Sequence, residues 1–328
     1  MPESLLTLDH LTIDYPISIG TVRAVDEVSF SLDRGETLGL VGESGCGKST
    51  LGLSILRLVR SPGRITGGRI VYKETDLLTL SDREMLAYRG GRIAMIFQNP
   101  LTSLNPLYRI DRHFIETIHE HDRSVSKDEA IARSEAVIEK LGIEKKRLFE
   151  YPHQLSGGMR QRIMIGLALI LNPDILIADE PTTSLDVIVE AGFVDLLRDL
   201  RTEFGLSILL ITHNLGLVAQ LVDRLAVMYA GRIVEEGVAD EVFHRPRHPY
   251  TRGLIDSIPN IDLDQIELTT MAGRPPDLVD PPPGCRFAPR CPFAMERCST
   301  ESPPLVAEAD GHRSACWLNE EGTQPWLR

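Results

Sequence analysis

No apolar run in this 328-residue sequence approaches the ~20 residues needed to cross a bilayer. The longest, around Ile163 to Leu171, is about half that length. A spanning helix is therefore not expected, and any work at a membrane would run through partners. Met1 to His10 carries Glu3 and Asp9 and lacks a basic stretch followed by an apolar one. A secretory signal is thus not expected, and the cytoplasm is the expected compartment. Basic residues are outnumbered: 35 Lys and Arg against 47 Asp and Glu give a formal net charge of -12, which argues against a surface built to hold nucleic acid. Cysteine is scarce, at five, and the close Cys-x2-Cys pairs of most structural zinc sites are missing. There is no internal repeat and no second phosphate-binding loop. What remains is ordinary for a soluble globular protein, 42% hydrophobic and 25% charged, long enough for one large core plus a small second unit.

Gly42 to Thr50 reads Gly-Glu-Ser-Gly-Cys-Gly-Lys-Ser-Thr. Thr37 to Val41 before it is a short apolar run, and Lys48 to Val59 after it reads as a helix. Strand, loop, helix is the context a phosphate-binding loop requires. Backbone N–H groups from Ser44 to Thr50 can point at a phosphate chain, helped by the positive end of the helix. Gly42, Gly45 and Gly47 let the backbone approach closely. Lys48 supplies charge to the β- and γ-phosphates, and the Ser49 hydroxyl is a magnesium ligand. Downstream, Ile175 to Glu180 reads Ile-Leu-Ile-Ala-Asp-Glu. Asp179 emerges from a buried strand, where a carboxylate can hold magnesium through water, and Glu180 is placed to polarise the attacking water. Alone, an Asp-Glu pair would be a charged strand end; with the phosphate loop upstream it reads as the hydrolytic half of an ATPase.

Leu5 to Ile13 and Val22 to Leu32 alternate as half-buried antiparallel strands do. Ile93 to Phe97 is a strand ending at Gln98. Leu107 to Leu171 is mainly helical, an inserted subdomain. Ile175 to Ala178 and Ile208 to Thr212 are continuous apolar runs, as buried parallel strands are, and Ala226 to Glu236 reads as a hairpin. Gln98 and His213 each follow a strand, where ligands bind in open α/β sheets. The fold class is α/β, with a first domain at 1–258. Nine prolines between Pro275 and Pro304 are too many for a helical or sheet core, so 259–328 reads as a separate extension.

Between the two nucleotide motifs stands Leu155-Ser-Gly-Gly-Met159, followed by Arg160-Gln161-Arg162. With it the chain resembles the ATP-binding cassette (ABC) ATPases over roughly residues 5 to 250. The resemblance implies a P-loop nucleotide-binding domain with a mixed sheet core, an antiparallel β edge and a helical insertion. It implies a head-to-tail dimer with two ATP molecules, each held by one subunit's phosphate loop and the other's Leu-Ser-Gly-Gly segment. Ser156 with the bare backbone of Gly157 and Gly158 begins a helix whose N-terminus can close on a γ-phosphate. By the same resemblance Tyr15 stacks on adenine and Ser184-Leu185-Asp186 signals across the dimer. His213 is the switch at the γ-phosphate, and Gln98 senses magnesium and the membrane partner. Gln98-Asn-Pro-Leu-Thr-Ser-Leu-Asn-Pro106, His248-Pro-Tyr-Thr251 and Pro282-Pro-Gly-Cys-Arg-Phe-Ala-Pro-Arg-Cys291 resemble the ATPase subunits of dipeptide and oligopeptide importers. Arg89-Gly90 and Gly273-Arg-Pro-Pro276 look more like the D-type than the F-type subunit. Implied partners are a second ABC ATPase, itself or a sister, two membrane permease subunits and, indirectly, a substrate-binding protein. Asn99 departs from the acidic residue usual in the family. Oligosaccharide, nickel or glutathione cargo, and a soluble non-transport ABC ATPase, are the competing readings.

Cys285, Cys291, Cys298 and Cys316 lie in the last 44 residues, and a reducing compartment disfavours disulfides, so their clustering suggests a metal site. Four thiolates can ligate zinc or a [4Fe–4S] cluster; the importer resemblance implies the cluster, with zinc as the alternative. Cys46, at a helix N-terminus beside Lys48, is expected to have a lowered pKa and to react readily, with ATP protecting it.

Overall fold

The computed structural model describes residues 4–97, 104–182, 187–258, 271–279, 281–308 and 311–320. By contact the chain forms two compact units, Met1–Leu78 with Leu210–Arg328, and Thr79–Leu209.

In the first unit, β1 (Ser4–Ile17) pairs antiparallel with β2 (Gly20–Asp33), Leu8 opposite Phe30 and Ile13 opposite Val25. Leu6, Leu8, Leu11 and Ile13 are buried on one face, and the register shifts between Leu8 and Leu11, which keeps that face apolar past the irregularity. The other edge of β1 pairs with β4 (Arg64–Tyr72), which pairs with β5 (Thr75–Asp76). These two strands were not expected from the sequence: Gly67, Gly68 and Arg69 interrupt the alternation, and only Ile70 and Tyr72 of β4 are buried.

A second set of strands carries the phosphate loop. β3 (Thr37–Val41), buried along its whole length, lies parallel to β9 (Arg224–Tyr229), from Leu38 opposite Arg224 to Val41 opposite Val227. A hairpin joins β9 to β10 (Arg232–Val238) through Ala230 and Gly231, at φ 46 and 88. Two left-handed residues in succession match the twist of a tight antiparallel turn. Two short tail strands, β11 (Val306–Ala307) and β12 (Arg313–Ser314), extend the β10 edge, Glu235 facing Ser314. The helix after the loop, α1, covers Lys48–Ile55 and not the expected Lys48 to Val59. Leu56 caps it, and Arg57 turns to φ 53, ending the hydrogen-bond ladder.

The second unit begins with a short helix, α2 (Asp82–Met85), and holds β6 (Ile93–Ile96) parallel to β7 (Ile175–Asp179), every residue of both strands buried, as continuous apolar runs require. Helices α3 (Ile110–His121), α4 (Lys127–Lys140) and α5 (Gly157–Leu169) occupy most of the stretch from Leu107 to Leu171. They share a core that includes Ile110, Phe114, Ile118, Ala130, Ile138 and Ile163. A long helix, α6 (Val187–Phe204), leads to β8 (Ser207–Thr212), along which the chain passes back to the first unit.

Candidate functional site

The phosphate loop is shaped by its neighbours in the first unit. Gly42 stands at φ 153, and a Cβ there would come within 2.1 Å of the Met228 carbonyl oxygen. Gly47, at φ 108, would press a Cβ to 2.1 Å from the Ala24 carbonyl oxygen. Both positions combine a backbone conformation that L side chains avoid with a close approach only glycine allows. Gly47 is the N-cap of α1, and no side chain caps that end, so the first N–H groups of the helix face the loop. Ser44 and Gly45 are exposed at the loop's crest; Ser49 and Thr50 are half-buried on the first turn. The Lys48 ammonium donates to the carbonyl oxygens of Gly42 at 2.7 Å and Glu43 at 3.1 Å. Gly231 N–H donates to the Cys46 carbonyl at 2.9 Å, tying the loop to the hairpin turn.

The expectation for Cys46 is corrected. Its side chain is buried, 5% exposed, and burial pushes the thiol pKa up. The Lys48 ammonium, 3.8 Å from the sulfur, pulls the other way but less strongly. A thiolate needs solvent or several donors, and one cation inside a buried loop does not replace them.

Tyr15 is half-buried near the end of β1, and its ring lies close to Gly63, where a Cβ would meet it at 2.5 Å. His213 is exposed just past β8. Asn214 follows it and caps the next helix, its side chain accepting from Leu217 N–H at 3.2 Å.

In the second unit, Asp179 closes β7 and Glu180 follows; they are 5% and 7% exposed. Glu180 adopts φ 48, and the amide of buried Gln161 donates to the carbonyl of Pro181, anchoring the turn beyond it. Ser156 caps α5 by accepting from Met159 N–H at 3.3 Å. Ser156 and Gly157 are exposed, and open space surrounds Gly157 where a Cβ would stand. A positive helix end with an exposed glycine backbone, capped by Ser156, is thus presented at the surface of this unit. Gln98 and Asp186 lie outside the described residues.

The four tail cysteines are unbridged. Cys285 N–H donates to the Cys298 carbonyl at 2.8 Å, and Gly284 lies so close that a Cβ would sit 2.2 Å from the same oxygen. Burial raises the thiol pKa of Cys285, of Cys291 to about 11 and of Cys316 to about 12, and nearby thiols add to it, Cys298 acting on all three. Among the described residues no group of three or more His, Cys, Asp or Glu is arranged to hold a metal ion.

Three residues without an assigned role also meet the phosphate loop or the turn after Glu180. Tyr250 accepts the Glu43 N–H at 2.8 Å, Arg290 grips the Glu43 carboxylate, and Gln161 holds Pro181. Tyr250 and Arg290 stand in the segments that carry the importer resemblance, but sequence alone gives them no partner.

The phosphate loop, the acid pair at a strand end and the Ser-Gly-Gly helix start define an ABC-type P-loop ATPase. Residues 25–183 match the ABC transporter family, and residues 234–298 match the oligopeptide/dipeptide transporter C-terminal region. The chain is 47% identical over 322 residues to the dipeptide transport ATP-binding protein DppD of Bacillus subtilis, covering 97% of this chain and 96% of that one. The oligopeptide transport ATP-binding protein OppD of Salmonella typhimurium is 45% identical, across 95% and 93%. Among solved structures, cbiO1 of Clostridium perfringens, part of the ABC transporter complex cbiONQ, superposes with a TM-score of 0.64 at 27% identity, over 74% of this chain and 92% of that one. The dimeric ABC transporter cassette MJ0796 gives 0.62 at 26% identity, over 71% and 98%. The chain belongs to the family of dipeptide and oligopeptide transport ATP-binding proteins.

Proposed function

We propose that this chain is the ATP-hydrolysing subunit of an importer for dipeptides and oligopeptides, working through separate permease subunits in the membrane. The observation that carries this reading is the near-full-length similarity to peptide-transport ATP-binding proteins, reaching through the tail and not only the cassette. Among the described residues no helix is long and apolar enough to cross a membrane, so attachment at its cytoplasmic face falls to the permeases. A substrate-binding protein outside would choose the cargo.

In this reading the backbone N–H groups from Ser44 to Thr50 and the Lys48 ammonium take the phosphates of ATP, and Tyr15 supports the adenine. Ser49, Asp179 and Gln98 are the residues that would hold Mg2+, which would supply positive charge to the phosphate oxygens; a hydroxyl and a carboxylate are the hard donors it accepts. Glu180 orients and polarises the attacking water, with His213 at the γ-phosphate. Ser156, Gly157 and Gly158 offer their helix end to the ATP of a second ABC ATPase, a sister subunit or another copy, and Asp186 carries the signal between the two. Binding closes the pair, the permeases feel the closure, and hydrolysis reopens it.

Residues 1–258 form the cassette in this division, with the helical subdomain at about 107–171, and 259–328 the extension. The four tail thiols of the proline-rich segment would take up a [4Fe–4S] cluster that staples the extension by closing around it, since the described residues are not already arranged to hold a metal ion. Zinc is the other metal such a donor set fits.

Glu180→Gln tests the motor. It removes the base and keeps the shape, so turnover should fall by about 100-fold or more while ATP binding persists. The expected readouts are phosphate release near background and an ATP-stabilised dimer on size-exclusion chromatography. Undiminished turnover would remove Glu180 from its role.

A further inference from the structure

We infer that Arg290, in the C-terminal segment, is a positioning residue for the phosphate loop and acts by neutralising Glu43. Arg290 ends a short 3-10 turn immediately before Cys291. Its guanidinium is almost enclosed, 4% exposed, and forks onto the Glu43 carboxylate: Nη1 donates to Oε2 at 2.7 Å and Nη2 to Oε1 at 2.9 Å. Nε donates to the Ala272 carbonyl at 3.0 Å, and Nη1 also reaches the Tyr229 hydroxyl at 3.3 Å. The group is thus held in one orientation before it meets the loop, as a two-pronged arginine–carboxylate pair requires.

Glu43 is the second residue of the loop and is fixed on every side. Its N–H donates to the hydroxyl of Tyr250, a ring with no solvent exposure, at 2.8 Å. Its carbonyl accepts from the Lys48 ammonium at 3.1 Å and from Cys46 N–H at 3.3 Å. Whatever moves Glu43 therefore moves the parking place of Lys48 and the start of the phosphate cradle.

A carboxylate at the rim of a loop that takes a polyphosphate opposes its ligand, since like charges at short range repel. Arg290 converts Glu43 from a free negative charge into a paired one. Removing the arginine leaves that carboxylate uncompensated beside the phosphates. Glu43 keeps 27% side-chain exposure, so solvent tempers the effect.

The test is an ADP titration of the full-length chain by calorimetry, ADP filling the phosphate loop without turnover. Arg290→Ala should weaken ADP binding about tenfold. Glu43→Gln, which removes the charge that Arg290 neutralises, sets the reference for the second half of the cycle. The double variant should bind ADP within about threefold of Glu43→Gln alone, because no carboxylate is left to neutralise. A purely structural arginine would not be rescued in this way. Binding by Arg290→Ala within twofold of the parent, or a loss that Glu43→Gln does not repair, overturns the inference. Arg290→Gln, which keeps a donor for Ala272, carries the same cycle if the alanine variant does not fold.

Discussion

Glu180 holds φ 48 at the end of a buried strand. A left-handed backbone at a non-glycine residue costs of order 1 kcal/mol and persists where the surroundings enforce it. Here the Gln161 amide pins the following carbonyl. This turn sets the backbone of the residue that the sequence marked for water activation, a conformation that no local pattern announced. Cys46 shows the opposite case. Its sequence neighbours suggest an activated thiol, yet burial dominates and raises its pKa. Maleimide at pH 7 should label Cys46 in the native chain at least about tenfold more slowly than in urea-unfolded chain, because only the thiolate reacts. Peptide mass mapping reads the two rates, and equal rates would refute the protected environment.

Elements with strong local patterns were readable: β3, β7 and β8 as unbroken apolar runs, β1 and β2 by alternation. β4 was not, because its glycines conceal the period and partner β1 supplies the pairing. The end of α1 was missed for a related reason, since the left-handed Arg57 leaves no composition signal. The helix Pro249–Asp256 carries a titration of its own. His248 is its N-cap, and its Nδ1 accepts from Tyr250 N–H at 3.0 Å. Burial drives its pKa from 6.5 down to about 3. A folded-state pKa below the unfolded one means the contribution is complete above about pH 6.5 and is lost as pH falls toward 3. His248→Asn keeps an acceptor and does not titrate. Urea unfolding should show the parent losing up to ~5 kcal/mol more than this variant across that window. Parallel pH profiles would remove His248 as the cause.

At the scale of the whole molecule, the tail is bound to the cassette core at several points. Arg286 is buried against Asp26 and the Ala230 carbonyl, Arg23 N–H donates to the Leu278 carbonyl at 3.0 Å, and Phe287 packs among Tyr229, Tyr250 and His248. Burial pulls the Arg286 pKa down to about 10, against the attraction of Asp26. If the four thiols hold a cluster, Cys298→Ser should lose most of the bound iron and the brown absorbance of the anaerobically purified chain, with nucleotide binding retained. Full iron content in that variant sinks the ligand assignment, and zinc in place of iron by elemental analysis selects the other metal.

An ABC-type ATPase was legible in local patterns, because a phosphate loop, an acid pair after a strand and a Ser-Gly-Gly helix start each span only a few adjacent residues. The buried strands that carry them were legible for the same reason. That Glu43 meets an arginine 247 positions away shows only in the folded chain. So does the masking of Cys46 and the tail strands' extension of the β10 edge. Burial and long-range pairing depend on which segments the fold brings together, and no local spacing encodes that.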